Sequence, residues 1–213
     1  MNACCNIRYN HTFGMRKAQK EMAHYLKHGP KKSTRWLLEP VLERIREGDS
    51  VLDIGGGVGA LLLELQKQGI GVSYYMDISE SYSAVLYQEV GEKSLKNKIS
   101  IHTGDFTEKH HLIPQADIVT LDKVLCCYQD FKNLLTLSLQ KTRKILAYTV
   151  PDSVWWVEML NGIQTSVKSI FNKQLITYVH PVDKMEALAL AQGFHKEFQK
   201  KHTGWLTVVY CKN

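Results

Sequence analysis

Residues 51–60 read VLDIGGGVGA, a short apolar run followed by four glycines in five positions. An apolar run closed by glycines predicts a buried strand that ends in a tight turn. Glycine carries no Cβ, so the backbone there turns sharply and comes close to a ligand. Val58, Leu61, Leu62 and Leu65 then recur at helical spacing until Gly69, which predicts a helix opening directly from the turn. The N-terminus of such a helix presents free N–H groups and positive dipole, suited to a carboxylate or phosphate. Strand, glycine turn and helix together predict one unit of a parallel α/β sheet with a ligand at its turn.

The pattern repeats outward from this unit. Residues 71–76 (GVSYYM) read as the next strand, and Ser79 as the N-cap of a helix running to Gly91. Residues 99–103, 116–121 and 144–150 read as three further strands, and 175–179 as a short strand-like run. Strands alternating with helices imply a parallel sheet covered on both faces. The chain ends differently. Residues 181–191 read as a helix with Pro181 at its first position and Gly193 as its stop. Residues 194–201 and 205–211 are too close in sequence to pair except as an antiparallel hairpin. The expected architecture is α/β: a Rossmann-like doubly wound sheet of about seven strands, the last antiparallel, with a helical N-terminal extension.

That extension is residues 1–48, a lid or cap belonging to the same domain as the cofactor-binding residues 49–213. Met15, Ala18, Met22 and Leu26 form one helical stripe, closed by Gly29; Leu38, Val41, Leu42 and Ile45 form a second, closed by Gly48. Pro40 predicts a kink or a fresh helix start. A length of 213 residues suits one domain, and 44% hydrophobic with 23% charged residues is ordinary for a soluble protein. No apolar run approaches the ~20 residues of a membrane span. The N-terminus has no apolar stretch after Arg8, so the reading is cytoplasmic. The five cysteines fall as Cys4–Cys5, Cys126–Cys127 and Cys211, a spacing that predicts reduced thiols and no metal site. Net charge is +6, but the basic residues are scattered, which argues for a solvated surface and against a nucleic-acid partner.

Two acidic positions follow the sheet. Asp77 ends the second strand 22 positions after Gly55, where a carboxylate accepts hydrogen bonds from the ribose hydroxyls of an adenosine ligand. This suits S-adenosylmethionine (SAM) and NAD equally, and Gly55-x-Gly57-x-x-Ala60 also satisfies the dinucleotide fingerprint. Gly104-Asp105-Phe106 follows the third strand, offering a carboxylate to an adenine amino group and a ring to the base. With the terminal hairpin, these features resemble the class I SAM-dependent methyltransferases. VLDIGGGVG looks like their first motif, Asp77 their ribose acid and GDF their adenine turn. The resemblance implies that Gly55, Gly56, Gly57 and Gly59 line the methionine moiety and that Asp53 supports the loop or reaches the amino group through water. It further implies that Asp77 with Ile78 holds the ribose, Asp105 with Phe106 the adenine, and that S-adenosylhomocysteine (SAH) is the product.

Ligands of such sheets sit beyond the carboxyl ends of the strands. Residues 116–130 run into that space, so Asp122, Lys123 and the stretch to Tyr128 are expected to border cofactor and acceptor. Asp122-Lys123-Val124-Leu125 stands where enzymes acting on base nitrogens or glutamine carry Asn/Asp-Pro-Pro-Tyr/Phe, and the Asp-Asn pair of metal-dependent catechol enzymes is also missing. A metal-free mechanism is therefore expected. The stretch ending in Cys127-Tyr128 is distantly similar to the magnesium-protoporphyrin O-methyltransferase group, which has His-Tyr there. Trp155 and His180 are candidate acceptor contacts, Trp156 is expected in the core, and Tyr25 is the candidate of the N-terminal segment for reaching into the site. A hydroxyl acceptor needs a base, for which Tyr128 and His180 rank ahead of His102; an acceptor carboxylate needs none. The expected function is metal-free, in-line methylation of a small molecule, oxygen favoured over nitrogen. An RNA methyltransferase, an inactive SAM-binding accessory protein and a NAD enzyme are the alternatives, and oligomeric state stays open.

Overall fold

The computed structural model describes residues 14–93, 95, 97–152 and 178–213. Two helices, α1 (Met15–His28) and α2 (Lys32–Leu42), precede the sheet. Then come β1 (Val51–Ile54), α3 (Ala60–Gln66), β2 (Ser73–Asp77), α4 (Glu80–Glu92) and β3 (Ile99–Thr103). A short α5 (Phe106–Lys109) leads to β4 (Ala116–Asp122), α6 (Phe131–Lys141) and β5 (Thr142–Pro151). The chain closes with α7 (Val182–Ala191), β6 (Phe194–His202) and β7 (Trp205–Lys212).

The seven strands form one sheet in the order β3-β2-β1-β4-β5-β7-β6. β1 pairs in parallel with β2 and β4, whereas β7 runs antiparallel to both β5 and β6. The order reverses between β1 and β2 on one side and β4 on the other, so a crevice opens at the carboxyl ends of β1 and β4. The central strands β1, β4, β5 and β7 are largely buried on both faces, whereas the edge strand β6 is mostly exposed. On β7, Leu206, Val208 and Tyr210 pack with Leu134, Leu135 and Met185 of α6 and α7. Val209, one residue out of step, joins the core of the opposite face, which also holds Leu37, Leu62 and Leu86 of α2, α3 and α4. This period of two is what a pleated strand dictates.

Three local expectations shift. The buried stripe of α1 is Ala18, Met22 and Tyr25, while Leu26 is 52% exposed. Pro40 does not start a helix: α2 begins at Lys32 and carries Pro40 inside it, two residues before its end at Leu42. Arg44 Nη1 donates to the Pro40 carbonyl at 2.6 Å, satisfying one of the orphan acceptors there. Pro181 is the N-cap of α7 rather than its first helical residue, and Ser79 caps α4 by accepting from Tyr82 N. Among the described residues no helix is long and apolar enough to cross a membrane.

Candidate functional site

A cavity of about 360 Å³ occupies the crevice. Its floor is the turn after β1, with Asp53, Gly55, Gly56 and Gly57; its sides are Asp77, Ile78, Gly104 and Phe106 after β2 and β3, and Asp122, Lys123, Cys127 and Tyr128 after β4. Glu21, His24 and Tyr25 of α1 and Thr34 of α2 complete the wall. The N-terminal helices are therefore part of the site.

The turn is set by contacts that side chains cannot share. Gly55 takes φ +66°, and a Cβ on it would stand 2.5 Å from Val124 Cγ2. A Cβ on Gly56 would stand 2.5 Å from Asp53 Oδ2 and 2.9 Å from the Tyr75 ring. Gly59, the N-cap of α3 at φ +72°, faces Leu86 of α4 instead of the cavity. Tyr75, fully buried, donates to Gly57 O at 2.6 Å and ties the turn to β2. Asp77 ties it again: Oδ2 accepts from Gly57 N at 2.9 Å and Oδ1 from Ser79 N at 2.8 Å.

Asp53 is 1% exposed and accepts from Thr120 Oγ1 at 2.7 Å through Oδ1 alone. Burial pushes its carboxyl up to about 7; the Thr120 hydroxyl opposes this, and the charges of Asp122 and Asp77 add to it. The folded chain thus retains on Asp53 a proton that the unfolded chain loses near pH 4. Stability of the cofactor-free protein consequently falls as pH rises between about 4 and 7. Its melting temperature is expected to decline from about pH 5 to about pH 7.5, with Asp53→Asn making the decline shallower. Asp77 and Asp122, both raised chiefly by burial, keep a residual slope. A decline unchanged in Asp53→Asn assigns the effect to other groups.

Asp105 caps α5 by accepting from Thr107 N at 2.8 Å, and its Oδ1 also accepts from the Tyr128 hydroxyl at 2.9 Å. Flanking it, Gly104 and Phe106 line the cavity. Tyr128 O in turn lies 2.8 Å from His180 Nε2, whose ring packs on Phe131 with centroids 4.4 Å apart. Burial lowers the His180 pKa. Asp122 Oδ2 accepts from Thr34 Oγ1 at 2.9 Å, and the Lys123 ammonium lies 3.8 Å from Asp122 Oδ1. Lys123 adopts φ +62°, a strained conformation for a residue with a side chain.

Asp53 and Asp105 each keep one buried carboxylate oxygen (Oδ2) with no hydrogen-bond partner, whereas Asp122 Oδ1 has the Lys123 ammonium as its ion-pair partner; Asp53 and Asp122 line the cavity, and Asp105 is not among its lining residues. The structure brings together in one cavity Asp53, Gly55, Gly56, Gly57, Asp77, Ile78, Phe106, Asp122, Lys123, Tyr25 and Tyr128. His180 stands behind Tyr128 and is not among the described lining residues, nor is His102, which bonds Ser100 at the exposed edge of the sheet. Trp155 and Trp156 lie outside the described residues. Tyr25 lines the cavity, with its hydroxyl donating to Glu64 Oε1 at 2.9 Å. Nothing in the sequence marks Glu21, which accepts from Tyr82 OH at 2.9 Å, or Thr34. Their partners lie 61 and 88 residues away, beyond any local pattern.

The whole chain is similar to solved methyltransferase structures. A magnesium protoporphyrin IX methyltransferase from Synechocystis PCC 6803, solved with bound SAH, matches at 18% identity and a TM-score of 0.67, over 100% of this chain and 96% of that one. An O-methyltransferase family protein from Burkholderia thailandensis matches at 12% identity and a TM-score of 0.67, over 96% of this chain but 59% of its own length. A putative methyltransferase of Haloferax volcanii, solved in complex with the methyltransferase activator Trm112, matches at 16% identity and a TM-score of 0.64, over 91% and 93%. No curated protein is matched by sequence. A family model described as the O-methyltransferase domain matches residues 2–194. With a match of that length, a seven-stranded sheet closed by an antiparallel hairpin and a cavity at its switch point, the chain belongs to the O-methyltransferase domain family.

Proposed function

We propose that this chain, a SAM-dependent methyltransferase, transfers the methyl group to an oxygen of a small molecule without a metal ion. The orphaned Oδ2 of Asp53, in the cavity floor, carries the cofactor reading. A buried acceptor without a partner costs free energy until a donor or cation reaches it. A ligand with a sulfonium, an ammonium and an adenine amino group supplies those donors and positive charge. A dinucleotide brings an anionic pyrophosphate, which the carboxyl groups of Asp53, Asp77 and Asp122 around the cavity repel. In this reading Asp53 faces the ammonium directly or through water, and Gly55–Gly57 follow the methionine moiety. Each Asp77 oxygen, though bonded to one backbone N–H, keeps lone-pair capacity for a ribose hydroxyl. Asp105 takes the adenine amino group between Ile78 and Phe106.

Bound SAM supplies an electrophilic methyl group on a positively charged sulfur. The chain's own contribution is position and exclusion of water, which together account for much of the acceleration of an in-line displacement. α1 and α2 cover the cavity, and the Thr34–Asp122 bond fixes that cover to the end of β4. The Tyr128 hydroxyl donates to Asp105, so in this arrangement it holds the adenine acid; it becomes a base toward an acceptor hydroxyl only on releasing that bond. His180, neutral at pH 7, sets the backbone of Tyr128. The family match supports oxygen as acceptor atom. The cysteine spacing supports a cytoplasmic setting.

The test is incubation with methyl-labelled SAM and a fractionated small-molecule extract, with total RNA in a parallel reaction. Label is expected in one small-molecule fraction, as a base-labile ester or an ether. Label in RNA alone, or no label from a protein that binds SAH, overturns the reading.

A further inference from the structure

Cys126 and Cys127 stand beside the cofactor cavity and have no part in the chemistry above. Both are reduced, with Sγ atoms 4.0 Å apart. Both thiols point at one acceptor, the carbonyl of Lys123, at 3.4 and 3.7 Å. They thereby support the residue whose φ is +62°. Cys127 lines the cavity, whereas Cys126 is 3% exposed behind it. Two metal–sulfur bonds of about 2.3 Å meeting at a tetrahedral angle hold their sulfurs about 3.8 Å apart, so one centre can span this pair. The rest of the ligand set decides which centre. Zinc requires four donors, and among the described residues no group of three His, Cys, Asp or Glu could hold a metal ion. A trivalent, pyramidal, thiophilic centre that carries its own third substituent requires only the two sulfurs.

We propose that Cys126–Cys127 is a dithiol site for trivalent arsenic carrying an organic group, and that its occupation closes the cofactor cavity. With an organoarsenic oxide, R–As=O, two S–H bonds and the arsenic–oxygen bonds break and two As–S bonds form. The oxygen leaves as water with both thiol protons, and arsenic stays trivalent. The first bond forms at Cys127, which the cavity exposes; the second draws Cys126 out of its packing. Both thiols then cease to bond Lys123 O, releasing the strained turn that places Asp122, Lys123 and Val124 in the cavity wall. The effect on the cofactor rests on the SAM reading, whereas the adduct itself does not.

The experiment uses phenylarsine oxide on the full chain with Cys4 and Cys5 changed to serine, which removes the other adjacent pair. Intact mass is expected to show one phenylarsenic adduct per chain, equal to the reagent minus water. That adduct is lost in both Cys126→Ser and Cys127→Ser. SAH is expected to slow adduct formation at least tenfold, and the loaded protein to bind SAH at least tenfold more weakly in calorimetry. An adduct that survives Cys126→Ser overturns the dithiol site. An adduct that forms but leaves SAH affinity unchanged overturns its closure of the cavity. Should the untreated protein fail to bind SAH, the SAM reading fails while the mass result still decides the site.

Discussion

Gly56→Ala is expected to lower SAH affinity at least 100-fold while leaving the far-UV circular dichroism of the fold intact. The backbone of Gly56 is one that alanine can adopt, so the obstacle is space alone. The added methyl would stand 2.5 Å from Asp53 Oδ2 and 2.9 Å from Tyr75 Cδ2 and Cε2. Neither neighbour yields: Asp53 is held by Thr120, and the Tyr75 ring is buried with its hydroxyl on Gly57 O. The turn must therefore move, and Asp53 with it. Gly57→Ala provides the contrast. Its Cβ would meet nothing nearer than Tyr82 at 3.8 Å, leaving only the left-handed φ of +56°, a strain of about 1–2 kcal/mol. That variant should bind SAH nearly as well as the unaltered chain, the strain lowering its melting temperature instead. Equal losses in the two variants would show that space at Gly56 is not what matters.

Asp77→Ala should weaken SAH by 100-fold or more and also lower the melting temperature of the cofactor-free protein. The carboxylate anchors Gly57 N and Ser79 N at once. Charge-assisted bonds of this kind contribute about 1.5–3 kcal/mol each, so even one unreplaced bond lowers the melting temperature by roughly 5 °C. The ribose hydrogen bonds proposed for the same carboxylate go in addition. Calorimetry with SAH and a thermal melt of the same variant separate the two effects. A variant that melts lower but binds SAH normally would leave Asp77 as an anchor of the turn and nothing more.

What could be read from the sequence follows how local the cause is. The turn at 55–59 is legible because positive φ at Gly55, Gly57 and Gly59 and the lack of room at Gly56 each demand glycine at that position. Asp77 is legible from its distance to Gly55, fixed by the length of one helix and one strand. The hairpin is legible because only Thr203 and Gly204 separate β6 from β7. The walls contributed by α1 and α2 are not. Glu21 and Thr34 reach Tyr82 and Asp122 only because the N-terminal helices fold over the crevice. The same holds for Tyr128, whose hydroxyl meets Asp105 although β4 and β3 are separated by two strands in the sheet, and for His180, which serves a carbonyl rather than the cavity. Leu26 departs from the helical stripe for a related reason: Tyr25, on the neighbouring face of α1, turns inward with its hydroxyl on Glu64.

The carboxyl groups of Asp53, Asp77 and Asp122 around the cavity make the identity of the ligand a question of charge. Calorimetric titration of the purified chain with SAM, SAH and NAD in separate runs addresses it most directly. The account predicts saturable binding of SAM and SAH at one site per chain, and no heat of binding with NAD. Binding of NAD together with no binding of SAM or SAH would contradict it.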